Sequence, residues 1–324
     1  MSQSSLHYEY KHEIPPTKID LPCDINAGHG DHWAILTNDI ATDVPNWLEQ
    51  MIDSASLPIG LAPNTASNKR LLLGGNEPCH IKQILSMTDG KPTAFINAFP
   101  CVESPYSMPC QIERIIRCEK TADALLRLKT TDGTVIYAFD QLYSINRLEY
   151  RTPKTYQANF SAWAYNIEPS DQEQTILVED QQAIRYHRAF NDIVSANDGR
   201  VPDDIEAQIR AWQPSDHDPS LPLAPVEINM GHSCIYLFGE TFGQEDEAWC
   251  QGQVLGISHS QFFDKDVTLF DVAVLREPGS QPLVVRIATI STPNNAKIAV
   301  NDYIQANIWL QVAIYADNQV AIEV

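Results

Sequence analysis

The stretch from Lys297 to Tyr315 constrains the fold more than any other part of this sequence. Apolar side chains occupy most of its even positions, and Lys, Asn or Gln occupies many of its odd positions. Successive side chains of a strand point to opposite faces of a sheet. The pattern therefore predicts one long strand, or two, with one dry and one solvated face. Asn301 and Asp302 interrupt the alternation and predict a turn or bulge.

A partial copy of this stretch lies in the middle of the chain. The residues from Tyr156 to Tyr165 align with those from Ile304 to Ala313 and share Gln-Ala-Asn, and Cys110 aligns with Cys250 upstream. Between these anchors, both copies contain two apolar runs separated by Asp-Gly or Pro-Gly, which are hairpin signals. The repeated order of anchor, hairpin and long strand over about 60 residues favours duplication. Shared β composition without duplication is the alternative.

These observations predict a mainly β protein with some α structure (α+β), built from two related halves. We expect each half to contain a small antiparallel, OB-like or barrel-like β unit preceded by short helices. Such a label describes shape and carries no function with it. The predicted halves are residues 1–169, with a β unit at about 110–168, and residues 170–324, with helices in 180–212, a proline-rich linker at 214–225 and a β unit at about 226–324.

Helical elements are predicted at four places. Asp43 and Pro45 mark a helix start before an apolar face at helical spacing. A second helix runs through residues 183–197 and ends at an Asn-Asp-Gly sequence, and a third follows the proline at position 202. Residues 80–87 are predicted as a further helix between two short strands.

The net charge of −20 argues against binding to a phosphate backbone, which a protein neutralises with Lys and Arg. Positive charge is nevertheless concentrated in the first β unit, as a basic stripe or as ordinary solvated strand faces. An acidic surface that imitates nucleic acid is a further alternative. The basic residues of the first unit are Arg114, Arg117, Lys120, Arg127, Lys129, Arg147, Arg151 and Lys154.

The cysteines and the N-terminus predict a cytoplasmic protein. The seven cysteines include no C-x-x-C pair, and Cys118, Cys234 and Cys250 lie in apolar runs typical of reduced structural thiols. A Cys101–Cys110 bridge is the alternative for an exported protein. No basic stretch followed by an apolar one opens the sequence, and no apolar run reaches the ~18 residues that span a bilayer.

The sequence predicts no cofactor, with one alternative. His29, Asp31 and His32 lie close together between glycines, and imidazole and carboxylate groups at such spacing can share a divalent metal. A solvated polar loop is the competing interpretation. No H-E-x-x-H, G-x-S-x-G or phosphate-loop motif accompanies the cluster, so no complete catalytic set is visible.

The residues predicted to bind a partner are Trp309, Gln305, Asn307 and Trp163. Trp309 is assigned to the solvated face of its strand among Gln305 and Asn307. An exposed aromatic ring among amides is typical of a surface that contacts a protein or a sugar. Trp163 lies in the mid-chain copy. Core packing is the alternative for both tryptophans.

The leading functional prediction is a non-enzymatic interaction or scaffold protein that binds another protein through its duplicated β units. A metal-dependent hydrolase using His29, Asp31 and His32 is the first alternative. Nucleic-acid binding, or nucleic-acid mimicry, is the second. We expect no membrane association, and a homodimer formed through an exposed sheet edge remains an open alternative.

Overall fold

The computed structural model describes most of the chain. The described residues are 32–52, 54–61, 69–118, 120–151, 153–170, 175–178, 181–197, 202, 204–214, 222–229, 234–239, 244–275 and 282–316. Within them the protein is mainly β with a few short helices, which confirms the predicted class.

The strands are β1 (Arg70–Gly74), β2 (Cys79–Thr88), β3 (Lys91–Val102), β4 (Ser107–Cys118), β5 (Asp123–Thr130), β6 (Val135–Asp140), β7 (Thr155–Pro169), β8 (Thr175–Val178), β9 (Val226–Asn229), β10 (Cys234–Gly239), β11 (Gln244–Phe262), β12 (Lys265–Leu275), β13 (Leu283–Ile290) and β14 (Tyr303–Ile314). The helices are α1 (Ile40–Ile52), α2 (Tyr143–Asn146), α3 (Gln181–Ala196) and α4 (Ile205–Ala211), and short 3-10 turns cover Trp33–Ile35 and Asn295–Lys297.

The chain divides into two compact units. The first comprises residues 1–170 and 233–324, and the second comprises residues 171–232. In the second unit, β8 pairs antiparallel with β9, and Arg185 on α3 donates a hydrogen bond to the Trp212 carbonyl after α4 (2.7 Å). All other described elements belong to the first unit. The division into related halves 1–169 and 170–324 stays a prediction.

Most strands of the first unit form one nine-stranded sheet, and they pair in two similar sets. β4, β5 and β6 form a meander, and β7 returns to pair with β4. β11, β12 and β13 form a second meander, and β14 returns to pair with β11. The two returning strands pair antiparallel with each other, and β13–β7 and β14–β6 are parallel. β10 adds to β11.

A further correspondence is the position of one β-bulge. The register between β4 and β5 shifts between Ile112 and Arg114, and the register between β11 and β12 shifts between Val254 and Gly256. In both cases one residue of the first strand is left over. This pairs Arg114 with Arg127 and Gly256 with Asp271 at equivalent places in the two sets.

The hydrophobic side chains form two clusters on opposite sides of the large sheet, because neighbouring strand residues point to opposite faces. On β7, Ala162 belongs to one cluster and Trp163 to the other. The second cluster also includes Trp47 of α1, Leu72 of β1 and Phe99 of β3. The three-stranded sheet β1–β2–β3 and α1 therefore cover the Trp163 side of the large sheet.

The hairpins predicted from Asp-Gly and Pro-Gly are confirmed as β5–β6 and β12–β13. The break predicted at Asn301 is also confirmed, since Asn301 has φ 78° and β14 begins at Tyr303. The helix predicted for residues 80–87 is wrong, because these residues lie in β2. Both faces of β2 are buried over most of its length, so its sequence lacks the alternation of a half-exposed strand.

Of the cysteines for which the structure gives a state, Cys79, Cys101, Cys110 and Cys250 are buried thiols outside any disulfide. Cys118 is in a disulfide, so its assignment as a reduced thiol is wrong. The state of Cys234 stays a prediction. No helix among the described residues is long and apolar enough to cross a membrane.

Candidate functional site

Of the three predicted metal ligands, only His32 lies within the described residues; His29 and Asp31 lie outside them. His32 is buried, has φ 54°, and precedes the first 3-10 turn. Its ring stacks on Trp309 with the centroids 4.0 Å apart and the planes 14° from parallel. Its Nδ1 lies 3.8 Å from Glu247 Oε1. A metal site formed by His29, Asp31 and His32 therefore stays a prediction.

Tyr165 connects His32 with Glu247. The Tyr165 hydroxyl lies 2.6 Å from Glu247 Oε1, to which it donates. The Tyr165 hydroxyl oxygen also lies 2.5 Å from Nδ1 of His32. Since the hydroxyl has one proton, which goes to the carboxylate, the imidazole Nδ1 is the donor in the second bond. Burial, and then Glu247, raise the pKa of the Tyr165 phenol, so it stays protonated at neutral pH.

The solvent exposure predicted for Trp309 is wrong. Trp309 is 0% exposed, because His32 stacks on its ring and its Nε1 donates to Asp246 Oδ2 (2.6 Å). Trp163 is also 0% exposed and lies directly opposite Trp309 in the β7–β14 pair. Gln305 and Asn307 are partly exposed, as the alternation indicated. Whether these four residues bind a partner stays a prediction.

Next to the buried tryptophans, three neighbouring strands present aromatic and amide side chains side by side. We call Tyr165, Asn166, Trp249, Gln305 and Asn307 the aromatic–amide face. Asn307 of β14 is in register with Trp249 of β11 on one side and with Asn166 of β7 on the other. Residues in register point to the same face of a sheet. Tyr165 is 44% exposed and Trp249 is partly exposed.

Hydrogen bonds between side chains hold this face in place. Asn166 Oδ1 accepts from both the backbone N and the side-chain Nδ2 of Asn307, at 3.0 and 2.9 Å. Gln251 of β11 is in register with Gln305. Its Oε1 accepts a hydrogen bond from the Ser170 hydroxyl at 2.8 Å. Gln251 Nε2 is buried and has no acceptor among the described residues. The face is therefore an ordered polar surface, and the Gln251 amide donor without an acceptor lies beside it, in register with Gln305.

A second polar cluster lies between β2, β3 and the large sheet. Lys82 is 1% exposed, and its Nζ lies 2.5 Å from Glu103 Oε1 and 2.8 Å from Gln141 Oε1. Gln141 Nε2 donates to Gln311 Oε1 (2.8 Å) and to the Val102 carbonyl (2.9 Å). The Lys82 ammonium thus has charged and amide acceptors, as a buried cation requires.

This Lys82 cluster also contains the groups that come nearest to a metal site. Among the described residues, His80, Cys101 and Glu103 are the one set of three candidate ligands whose atoms lie within 4.8 Å of one another. However, the Lys82 ammonium already contacts Glu103. Burial by itself would raise the pKa of Glu103, but the neighbouring Lys82 lowers it by more, and the resulting pKa is about 2. Burial raises the pKa of the Cys101 thiol to about 12. The donor set is therefore arranged around an ion pair and does not fit a metal.

A third polar group is buried near the end of β6. Asp140 is 1% exposed, accepts from the Leu142 backbone N at 2.9 Å, and accepts from the Tyr150 hydroxyl. Burial raises the pKa of Asp140 from 3.8 to about 7. Sequence reasoning missed this group, because nothing in the local pattern distinguishes a buried carboxylate from one at the end of a solvated strand.

Lys82 and Glu103 were also missed, and the sequence holds no signal that pairs them. They lie on β2 and just after β3, and the β2–β3 hairpin brings them together. The chain matches no protein-family model, no curated protein and no solved structure.

Proposed function

We propose that this chain is a non-enzymatic interaction module that binds another protein through the aromatic–amide face of its large sheet. The observation that carries this proposal is the partly exposed pair of aromatic residues, Tyr165 and Trp249, beside the ordered Asn166–Asn307 amide pair. Aromatic side chains supply contact area, and amides supply directional hydrogen bonds at the same surface.

The proposal includes a duplication of the β units. Its support is the recurrence of one pairing scheme, a three-stranded meander with a fourth strand returning to the first, in β4–β7 and in β11–β14. The bulge after Ile112 and the bulge after Val254 fall at the same place in this scheme. The shared Gln-Ala-Asn of β7 and β14 also fits it. In this proposal the contact face lies where the two returning strands pair.

The state of the ionisable groups in the Lys82 cluster supports a binding role over a catalytic one at that place. Lys82 and Glu103 neutralise each other, and His80 is buried beside Lys82. Burial, and then Lys82, lower the pKa of His80 to about 4, so the imidazole is neutral at physiological pH. Catalytic acids and bases work best with pKa values near the operating pH, and these groups are far from it.

The proposal can be tested with surface variants and one identified partner. Cross-linking of the wild-type chain in its native cell extract identifies partners, and each purified partner is then titrated calorimetrically. Trp249→Ser and Asn307→Ala remove the aromatic and the amide contact. Leu148→Ser is the matched control, because Leu148 is 49% exposed and lies outside the face. We expect at least a tenfold loss of affinity in each face variant and unchanged affinity in the control.

Equal affinity of the face variants and the wild type for every purified partner would refute this surface as the binding site. Loss of affinity in Leu148→Ser alone would move the site to α2 and the loop that follows it. Thermal unfolding of all three variants shows whether a lost interaction reflects lost folding.

A further inference from the structure

A row of three side chains crosses the first meander at its bulge, and we call it the Arg row. It consists of Arg114 on β4, Arg127 on β5 and Tyr137 on β6, which are directly in register. Residues in register lie on one face of a sheet with their Cβ atoms about 5 Å apart. Two guanidinium groups, which are always charged in proteins, are therefore held next to each other.

Arg114 is the unusual member of the row. It is 6% exposed, and its Nε and Nη2 are buried without a hydrogen-bond acceptor. Nor does any residue in the described part of the chain form an ion pair with it. Buried charges in proteins are normally paired, and a buried guanidinium without an acceptor is strongly unfavourable. The Arg114 guanidinium therefore has hydrogen-bond donors for which the described part of the chain provides no acceptor.

The surroundings of the row are positively charged, in contrast to the protein as a whole. Glu113, the bulge residue, pairs with Arg127, and its Oε1 lies 3.6 Å from Lys129 Nζ. Two cations therefore contact this one carboxylate, and Arg114 follows Glu113 directly in the chain. The side chains of Arg127 and Lys129 are 32% and 47% exposed, so dissolved ions reach the row from the β5 side.

The second meander contains the corresponding row with its charges balanced. Gly256 of β11, Asp271 of β12 and Arg286 of β13 are in register at the equivalent bulge. Arg286 donates two hydrogen bonds to Asp271, at 2.7 and 3.1 Å. Asp271 takes the place of Arg127, and Gly256 takes the place of Arg114. The second row therefore has an internal carboxylate for its single guanidinium, and the first row has two guanidinium groups and no carboxylate within the row.

We propose that the Arg row is a binding site for one small oxyanion of the phosphate type. An oxyanion placed between the two guanidinium groups accepts hydrogen bonds from both and relieves their repulsion, as Asp271 does for Arg286 in the other meander. This site lies on β4–β6 and goes beyond the proposed protein contact on β7, β11 and β14. The chain's net charge of −20 opposes long polyanions, so a small phosphorylated molecule or free phosphate fits better than a nucleic-acid strand.

The test measures binding of inorganic phosphate to the full chain at constant ionic strength, by calorimetry and by thermal unfolding. Sulfate and acetate titrations separate recognition of a tetrahedral oxyanion from general anion or carboxylate binding. Arg114→Met removes the guanidinium and retains an apolar stem of similar length. Lys120→Gln is the control, because it removes one exposed positive charge of the same meander outside the row.

We expect phosphate to raise the melting temperature of the wild type and of Lys120→Gln equally, and to bind Arg114→Met at least tenfold more weakly. Without phosphate, Arg114→Met should melt at or above the wild-type temperature, because it removes a buried charge that has no partner. A merely structural Arg114 would instead lower the melting temperature on substitution. Arg127→Gln, at a partly exposed position, should also weaken phosphate binding at least tenfold.

Three results would overturn the proposal. One is equal phosphate affinity in the wild type, Arg114→Met and Arg127→Gln. The second is a phosphate effect that sodium chloride reproduces at the same ionic strength, which indicates screening of the chain's negative charge. The third is a single-stranded oligonucleotide that binds far more tightly than phosphate and loses affinity in Arg114→Met, which assigns the row to nucleic acid.

Discussion

Asp140 and His80 should give the stability of this protein two opposite pH dependences that cancel in the wild type. Burial raises the pKa of Asp140 from 3.8 to about 7, so the folded state binds a proton that the unfolded state releases. Burial, and then Lys82, lower the pKa of His80 from 6.5 to about 4, so the unfolded state binds a proton that the folded state excludes. Both differences act between pH 4 and pH 6.5.

The sign of each contribution follows from proton linkage. As pH rises from 4 to 6.5, Asp140 lowers the free energy of unfolding, because the folded state must retain a proton or hold a buried carboxylate. Over the same interval, His80 raises the free energy of unfolding, because the proton that His80 binds only in the unfolded state is lost as the pH rises. Each pKa unit corresponds to about 1.4 kcal/mol, so each group contributes at most about 3 kcal/mol across this interval. Their sum is close to zero.

Substituting either residue should reveal the contribution of the other. In Asp140→Asn only the His80 contribution remains. The free energy of unfolding of this variant, measured as the difference from wild type, should therefore increase by about 3 kcal/mol as the pH rises from 4 to 6.5. In His80→Asn only the Asp140 contribution remains, so the same difference should decrease by a similar amount as the pH rises from 4 to 6.5. Asparagine is chosen at position 80 because its amide can replace the donor from His80 Nδ1 to the Glu77 carbonyl, a bond of 2.7 Å.

The assay is urea unfolding at several pH values, followed by tryptophan fluorescence and extrapolated linearly to water. A Trp212→Phe background confines the signal to the first unit, which contains the other five of the six tryptophans. The contributions of the remaining carboxylates cancel in the difference between variant and wild type. Stability curves of both variants that run parallel to the wild-type curve would refute the assigned burial of Asp140 and His80.

Two other substitutions test the packing. Lys82→Met should lower the free energy of unfolding by about 3 kcal/mol, because it leaves the Glu103 carboxylate, whose side chain is 23% exposed, without its cation; adding Glu103→Gln should recover part of the loss in the same urea assay. Gly252→Ala should lower it by about 3 kcal/mol or prevent folding, since the new Cβ would lie 2.2 Å from the Ala273 carbonyl oxygen. Gly256→Ala is the milder comparison, with its closest contact at 3.1 Å to a side-chain atom. An equal loss in the two glycine variants would contradict the close approach at Gly252.

The strand content was predictable because its signals are local. The Asp-Gly turn between β5 and β6, and the break before Tyr303, are specified by residues next to each other in sequence. β2 was misassigned as a helix because both of its faces are covered, which removes the alternation on which the prediction depends. Its neighbours β1 and β3 are partly exposed, and short strands were predicted on both sides of residues 80–87.

The candidate sites were much less predictable. Trp309 was placed on the solvated face by its neighbours in sequence, but His32 covers it from a distant part of the chain. Lys82 and Glu103 carry opposite charges on separate strands, and no sequence pattern marks them as partners. Arg114 was recognised as part of a basic segment, but its burial without an acceptor became visible only with the structure.

By itself, the sequence determined that the chain is mainly β, where its hairpins turn, and where its last strand begins, because backbone alternation and turn chemistry act over a few residues. Only the tertiary structure decided that two meanders join into one sheet through β7 and β14, and which polar groups are buried. Strand pairing and burial join residues that are far apart in the chain. The free energies of strand pairing and burial therefore depend on spatial neighbours that are distant in sequence, and a local sequence pattern does not include them.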